Sequence, residues 1–264
     1  MSRGMLVTYK NNFSQYSVAR MNQSELNVFA ALLATIKNKG TAPISLDFTK
    51  FRKIAKVDKN YSDEELNPLI MGTLCKISSN SLVFENESKA IIFPMFDKII
   101  VDKKDKMITL QVSDNFTVYF NNFIGEFTTF PLVTFTSISG KYAKILYKTL
   151  MQFASTGVYK CDYDKFIYEI LGVPTTTKRN NINYKILKPA VEKVKEGDPH
   201  FEGLEMSFVK KANVTSTIVF NFKPFSVKDK AEDKKDDADF DAIWDEMTKN
   251  TNNANDVDDD DLPF

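Results

Sequence analysis

The stretch Phe135–Val194, FTSISGKYAKILYKTLMQFASTGVYKCDYDKFIYEILGVPTTTKRNNINYKILKPAVEKV, decides the fold. From near Ser139, the residues Ile145, Leu146, Leu150 and Phe153 fall on one helical face, and Gly157 ends that helix. Val158–Cys161 has the length of a short strand. Tyr163–Leu171 reads as a second helix, stopped by Gly172 and Pro174. A third helix is expected from about Arg179 to Lys195, with Ile186, Leu187, Val191 and Val194 inward. Pro189 lies inside it and has no N–H to donate, which predicts a kink or a late start. Beyond the quoted stretch, Leu204–Val209 and Thr215–Phe222 alternate as a hairpin across Lys210–Val214. Helix, short strand, helix, helix, hairpin is the order of a winged helix.

The same order recurs upstream. Asn22 and Glu25 form a capping-box signature ahead of Leu26, Phe29, Ala30 and Leu33, and Gly40 stops that helix. Pro43–Leu46 is a short strand and Phe48–Val57 a second helix. Ser62 with Glu65 signals a third helix through about Ile77. Ser81–Glu85, Ala90–Val101 and Met107–Val112 are β-rich, and Asp114–Ile124 reads as a short connecting helix. The pattern predicts an α+β protein of tandem winged-helix domains, residues 1–128 and 129–227, followed by a disordered acidic tail, residues 228–264. Phe116, Tyr119, Phe120, Phe123 and Phe127 have helical spacing, which favours a core and inter-domain seam over a base-stacking platform.

Charge divides the chain. Residues 228–264 hold five Lys against fourteen Asp and Glu, a net −9. Residues 1–227 hold 30 basic and 21 acidic residues, a net +9 hidden by the overall charge of zero. A basic body with an acidic tail points to a polyanion partner, first of all DNA. Within the tail, Phe240, Ile243, Trp244 and Met247 have i, i+3, i+4, i+7 spacing, so Asp239–Lys249 suits a short helix, either on a partner or packed back on the body. The tail closes on Asp256–Phe264, DVDDDDLPF. The aspartates Asp258, Asp259, Asp260 and Asp261 attract a basic rim. Leu262 and the Phe264 ring fill an apolar pocket, Pro263 limits the freedom lost, and the terminal carboxylate meets an Arg or Lys. The alternative is a plain solubilising tail.

Enzyme chemistry finds no constellation. His200 is the only histidine, and with Cys75 and Cys161 far apart the chain lacks four ligands for zinc. Ser139-Gly140-Lys141 looks like the end of a P-loop, but Phe135 and Tyr142 stand where that motif needs Gly and Ser or Thr. We expect no metal, no cofactor and no catalysis. The unpaired cysteines, the lack of a long apolar leader and the lack of a membrane-length apolar stretch predict a cytoplasmic protein without membrane contact. The stretch suited to DNA is Thr175–Lys188, at the entry of the third helix of the second unit. Asn180, Asn181 and Asn183 suit adenine edges or phosphates; Lys178, Arg179, Lys185 and Lys188 suit phosphates, and Arg179 also guanine. Lys210 and Lys211, at the expected wing tip, add a second phosphate contact. The alternative is a well-capped polar solvent face.

Phe135–Val194 resembles the second winged helix of RepB-type plasmid replication initiators. Those proteins share S-x-Y-x-x-x-L-Y-x-x-L, a Gly-bounded strand, F-x-x-x-L-G-[IV]-P and a later V/I-L-K-P. Here the matching residues are Ser139, Tyr142, Leu146, Tyr147, Leu150, Gly157, Phe166, Leu171, Gly172, Val173, Pro174, Leu187, Lys188 and Pro189. Asn22–Lys39 is similar to their first winged helix. The resemblance spans most of Met5–Pro224. It implies duplex binding at repeated origin sequences, with the second unit reading bases and the first contributing to a homodimer and to further DNA contact. The acidic tip departs from that pattern and resembles the tip of bacterial single-stranded-DNA-binding proteins, which recruits host replication and repair enzymes. Two readings follow: an origin initiator with a recruiting tail, or a phage or plasmid single-stranded-DNA-binding protein built on an initiator-like body. A decoy for host enzymes is a third, and the basic body disfavours it.

Deleting Phe264, or adding one residue after it, should abolish capture of host proteins in a pull-down, while replacing one aspartate should cost far less, because exposed charges are individually weak. Retention of the same partners by the wild-type, truncated and extended tails would reduce the tip to an acidic solubility tail.

Overall fold

Two three-stranded sheets of one connectivity organise the chain in a computed structural model that describes residues 5–57, 63–85, 90–121, 123, 126–211 and 214–226. Strand β1 (Leu6–Lys10) leads through a 3-10 turn, Asn11–Gln15, to helix α1 (Gln23–Ile36). Then come β2 (Ile44–Asp47), α2 (Phe48–Ile54) and α3 (Asp63–Ser79). A hairpin of β3 (Ser81–Glu85) and β4 (Ala90–Pro94) precedes β5 (Phe96–Asp102) and β6 (Met107–Val112). The first-unit sheet runs β2–β6–β5, and α4 (Asp114–Phe120) follows it. Next are β7 (Phe127–Pro131), α5 (Leu132–Ser137), α6 (Lys141–Met151) and β8 (Val158–Asp162). A π-helical segment, Lys165–Ile170, precedes α7 (Arg179–Asn181), a π-helical turn Ile182–Leu187, and α8 (Lys188–Gly197). The hairpin of β9 (Glu205–Lys211) and β10 (Val214–Asn221) completes a second sheet in the order β8–β10–β9. In both units the strand after the first helix pairs with the last strand of the hairpin. This is the winged-helix arrangement expected from the sequence, present twice.

Local chemistry sets the ends of these elements. Asn22 accepts from the Glu25 N–H at 3.0 Å, and the Glu25 carboxylate accepts from the Asn22 N–H at 2.8 Å. The same carboxylate takes both its oxygens to Lys76 Nζ, at 2.7 and 2.8 Å, tying α1 to the end of α3. Asp47 accepts from the Lys50 N–H at 2.8 Å, so β2 runs to Asp47, one residue past the expected end, and hands directly to α2. The expected strand Ala90–Val101 is two strands in different sheets. They part at Met95, whose buried side chain turns into the core while Ser113 bonds the Pro94 and Met95 carbonyls. The connecting helix ends at Phe120, with Asn121 Nδ2 donating to the Thr117 carbonyl. Ser62, expected as a cap, lies outside the described residues.

A π turn leads into Pro189, which has no N–H to donate; just before it the Lys188 N–H reaches back five residues to the Asn183 carbonyl. The helix therefore continues from Arg179 to Gly197 with one widened turn. The wing hairpin is also longer than expected. Lys211 pairs with Val214 and Lys210 with Thr215, so both lysines stand in the strand next to the turn.

The two units are welded along β1 and β7. These pair antiparallel from Leu6↔Pro131 to Lys10↔Phe127, and the division expected after residue 128 falls inside β7. Rings follow one another across this seam: Phe120–Phe13 at 4.9 Å, Phe13–Tyr9 at 5.2 Å, Tyr9–Phe130 at 6.2 Å and Phe130–Tyr147 at 5.8 Å. Tyr147–Phe201 at 5.7 Å and Phe201–Phe222 at 4.9 Å carry the chain on through the second unit. Phe116, Tyr119 and Phe120 are buried, the core and seam role expected of that cluster. A second contact joins the loop before α1 to the second unit. Gly172, at φ +65°, lies so close to Ala19 that a Cβ there would stand 2.6 Å from the Ala19 carbonyl oxygen. Lys141 Nζ donates to that carbonyl, and Gln23 accepts from the Gly140 N–H at 2.6 Å. The Ser139-Gly140-Lys141 run is thus a docking turn between units.

Helix α6 turns three lysines toward this seam. Lys144 has 0% exposure and Lys148 9%. Lys144 Nζ donates to the Phe135 carbonyl and sits 4.8 Å from the Phe135 ring centroid; Lys148 Nζ lies 5.4 Å from the Tyr9 centroid. Burial, reinforced by nearby Lys56, lowers Lys144 to about 7, and burial lowers Lys148 to about 8. Lys141 is lowered too, first by burial and then by Lys76.

An unfolded lysine holds its proton to about 10.5, so between roughly pH 7 and that value the unfolded chain binds more protons and stability rises with pH. The melting temperature should therefore increase from about pH 7 to about pH 9, by up to roughly 1.4 kcal/mol of stability per pH unit for each lysine. It should turn down above about pH 10, where unfolded tyrosines ionise and the buried Tyr9, Tyr16 and Tyr147, raised by burial, do not. Lys144→Met should flatten the rise. A melting temperature that is level or falling over the lower interval would contradict neutral lysines in the seam.

Candidate nucleic-acid interface

The helical run Arg179–Gly197 buries Ile182, Leu187, Ala190, Val191 and Val194 and turns its polar residues outward. Lys178, Asn180, Lys185 and Lys188 are exposed, and Arg179, Asn181 and Asn183 are half-buried. The sequence placed all seven together, and they occupy α7, its extended N-terminal flank, the π turn and, for Lys188, the first residue of α8. Entry to the run is a turn in which the Thr177 N–H donates to the Pro174 carbonyl at 2.9 Å.

Tyr163 and Asp164, at the start of the preceding helix, hold two of these residues in place. Arg179 Nη2 meets Asp164 Oδ1 at 2.9 Å, and its guanidinium carbon lies 4.6 Å from the Tyr163 ring centroid. The Tyr163 hydroxyl donates to Asn183 Oδ1 at 3.2 Å, leaving the Asn183 amide nitrogen as a donor. Burial raises the Tyr163 phenol, with Arg179 opposing, so the hydroxyl stays a donor at neutral pH. The Arg179–Asp164 pair is partly solvated, and such a pair is worth about 0–1 kcal/mol. Exchange of Asp164 for another acceptor on Arg179 therefore costs little.

Tyr163 also reaches the wing. Its ring stands 6.0 Å from that of Phe208, two residues before Lys210 on β9. Lys210 and Lys211 are exposed there, beside a bulge between Thr215 and Thr217. One tyrosine thus links the helix entry to the wing strand. Sequence reasoning placed it only in a helix, because its spacing gives no sign of what a tertiary contact does.

Two further features were missed. Tyr184 is exposed in the middle of the run, with Lys188 Nζ 4.5 Å from its ring centroid. In the first unit, Lys103, Lys104 and Lys106 are exposed at the β5–β6 turn, which Asp102 closes by accepting from the Lys104 and Asp105 N–H groups at 2.8 and 2.7 Å. Their signal, KKDK at 103–106, was plain in the sequence. The first unit's own third helix opens with Asp63, Glu64 and Glu65, a composition that repels phosphate. His200 lies in a 3-10 turn, its ring nitrogen 2.7 Å from Asp198, a loop position as expected. The tip residues Asp258–Phe264 lie outside the described residues.

Three likenesses bear on this arrangement. Residues 6–151 match the family model described as "Initiator Replication protein, WH1". A "Probable replication protein rep" of Bifidobacterium longum (strain NCC 2705) is 27% identical over 189 residues, covering 71% of this chain and 63% of that protein, so the chain spans less than two thirds of that relative. The Pi initiator protein, solved as a crystal structure in complex with iteron DNA, superposes with a TM-score of 0.63 at 15% identity, covering 84% of this chain and 98% of that one. At that identity the likeness shows a shared fold.

Replacing Lys178 and Arg179 together by Ala should weaken DNA binding and lower the log–log salt slope by roughly 0.7–0.9 for each phosphate that is no longer neutralised. Unchanged affinity and slope in the folded double variant would remove this run from the interface.

Proposed function

The chain belongs to the initiator replication protein family, and from that membership we propose that it is an origin-binding DNA replication initiator. It binds duplex repeats and acts by binding, without chemistry of its own. The observation that carries this reading is the Arg179–Lys188 run, whose amides and cations face outward while Tyr163 fixes Arg179 and Asn183. Base edges need donors held in place before the encounter, whereas phosphates need only charge. The second unit has both. The first unit, with an acidic third helix and a lysine-bearing wing, adds backbone contact through Lys103, Lys104 and Lys106 and offers a surface for a homodimer. The acidic tip recruits a host replication or repair protein once the body is on DNA, in the cytoplasm. No described helix is long and apolar enough to cross a membrane.

A gel-shift series with direct repeats from beside the gene, random duplex and oligo-dT tests the assignment. The repeat duplex should bind on the order of a thousandfold tighter than random duplex at physiological salt. A preference for oligo-dT with little discrimination among duplexes would overturn it, since stacking on single strands tolerates every base.

A further inference from the structure

Among the described residues, Tyr184 is the most exposed large apolar side chain, at 66%. Its neighbours Ile182 and Leu187 have 0% exposure, so the helix is anchored without it. An aromatic ring left in water gives up the stabilisation of burial, and nothing in the core replaces it. The ring is nevertheless held in position. Lys188, one turn on, places its Nζ 4.5 Å from the ring centroid, which covers one face. Asn180 lies one turn back, exposed, with an amide suited to adenine. Tyr184 thus stands between an amide and a cation at the centre of the outward face.

Building on the duplex-binding reading above, we infer that Tyr184 reads a thymine in the major groove through its 5-methyl group. Thymine alone among the four bases presents an apolar group at that edge. An aromatic ring on a groove-facing helix is the apolar partner such a methyl group takes, and the phenol hydroxyl at the ring's end stays hydrated. Lys188 then serves two contacts, as a cap on the ring and as a partner for a backbone phosphate. Lys188 covers one face of the ring and leaves the other open, so stacking on an unpaired base is the competing use that the oligo-dT arm of the test reads. With asparagines on the same run able to take adenine, an A·T pair is approached from both of its bases.

The probe is the duplex sequence that the full-length wild-type chain selects from a random pool. Each thymine in it is replaced singly by uracil, which removes only the methyl group. One position should weaken wild-type binding about three- to fivefold, the worth of one buried methyl group. Tyr184→Ala should bind the thymine duplex weaker by at least that factor and lose all sensitivity at that position. Tyr184→Phe should keep it. The salt slope of Tyr184→Ala should match wild type, whereas Lys188→Ala should lower it by roughly 0.9. The proposal is overturned if Tyr184→Ala keeps the wild-type response to uracil at every position, or weakens random duplex as much as the selected one. A Tyr184-dependent preference for oligo-dT would assign the ring to base stacking and overturn it also. If wild type selects no duplex sequence, the initiator reading fails first; if it selects one but Tyr184 shows no coupling to a thymine, only the present inference fails.

Discussion

The antiparallel pairing of β1 with β7, and the chain of rings that crosses it, is the constraint on which the rest of this structure depends. Small winged helices joined by an ordinary linker would tumble separately. Here Tyr9 touches Phe13 on one side and Phe130 on the other, and Phe130 touches Tyr147 of α6. Buried aromatic pairs each contribute about 0.5–1.5 kcal/mol beyond the area they bury. Backbone hydrogen bonds between β1 and β7 add direction to that packing. The second unit therefore presents its helix in a set orientation relative to the first unit's wing.

The same seam contains an expense. Among the described residues no carboxylate pairs with Lys144 or Lys148, and burial lowers both amines toward neutrality. A neutral amine is far cheaper to bury than an ammonium, and the rings of Phe135 and Tyr9 stabilise whatever charge remains. Above the seam, Gly172 lets Ala19 approach at a distance no side chain would permit. The glycine that ends the second helix of the second unit is therefore also a contact to the first. Local stop signal and long-range fit coincide in one residue.

The two units share a topology and differ in chemistry. In each, a third helix lies where a winged helix meets DNA. One begins Asp63-Glu64-Glu65 and the other Lys178-Arg179-Asn180. Function follows from those residues and not from the fold, which both possess. The Tyr163 contact adds what composition lacks. It converts a cation and an amide on a helix surface into donors with fixed directions, and it couples them to the wing strand through Phe208.

Element order was legible in the sequence because periodicity and caps are local. The apolar run of α1, which is buried on all sides from Glu25 to Ile36, the apolar face of α6, the Asn22–Glu25 box and the stops at Gly157 and Gly172 all act within a few residues. The cations and amides of Arg179–Lys188 were legible for the same reason, since their side chains had no role in an apolar face. What the sequence left open was set by contacts between distant residues. The break at Met95 depends on Ser113, and the partners of Arg179 come from the preceding helix. The π turn before Pro189 is intermediate: the missing N–H was evident, but whether the helix would kink, start late or widen depended on the packing of Leu187, Val191 and Val194. The sequence by itself determined two winged helices, a basic body and an acidic tail. Only the tertiary structure decided that β1 and β7 join the units and that Tyr163 holds the Arg179 and Asn183 side chains, because pairing and orientation depend on which surfaces meet, and one-dimensional spacing does not encode that.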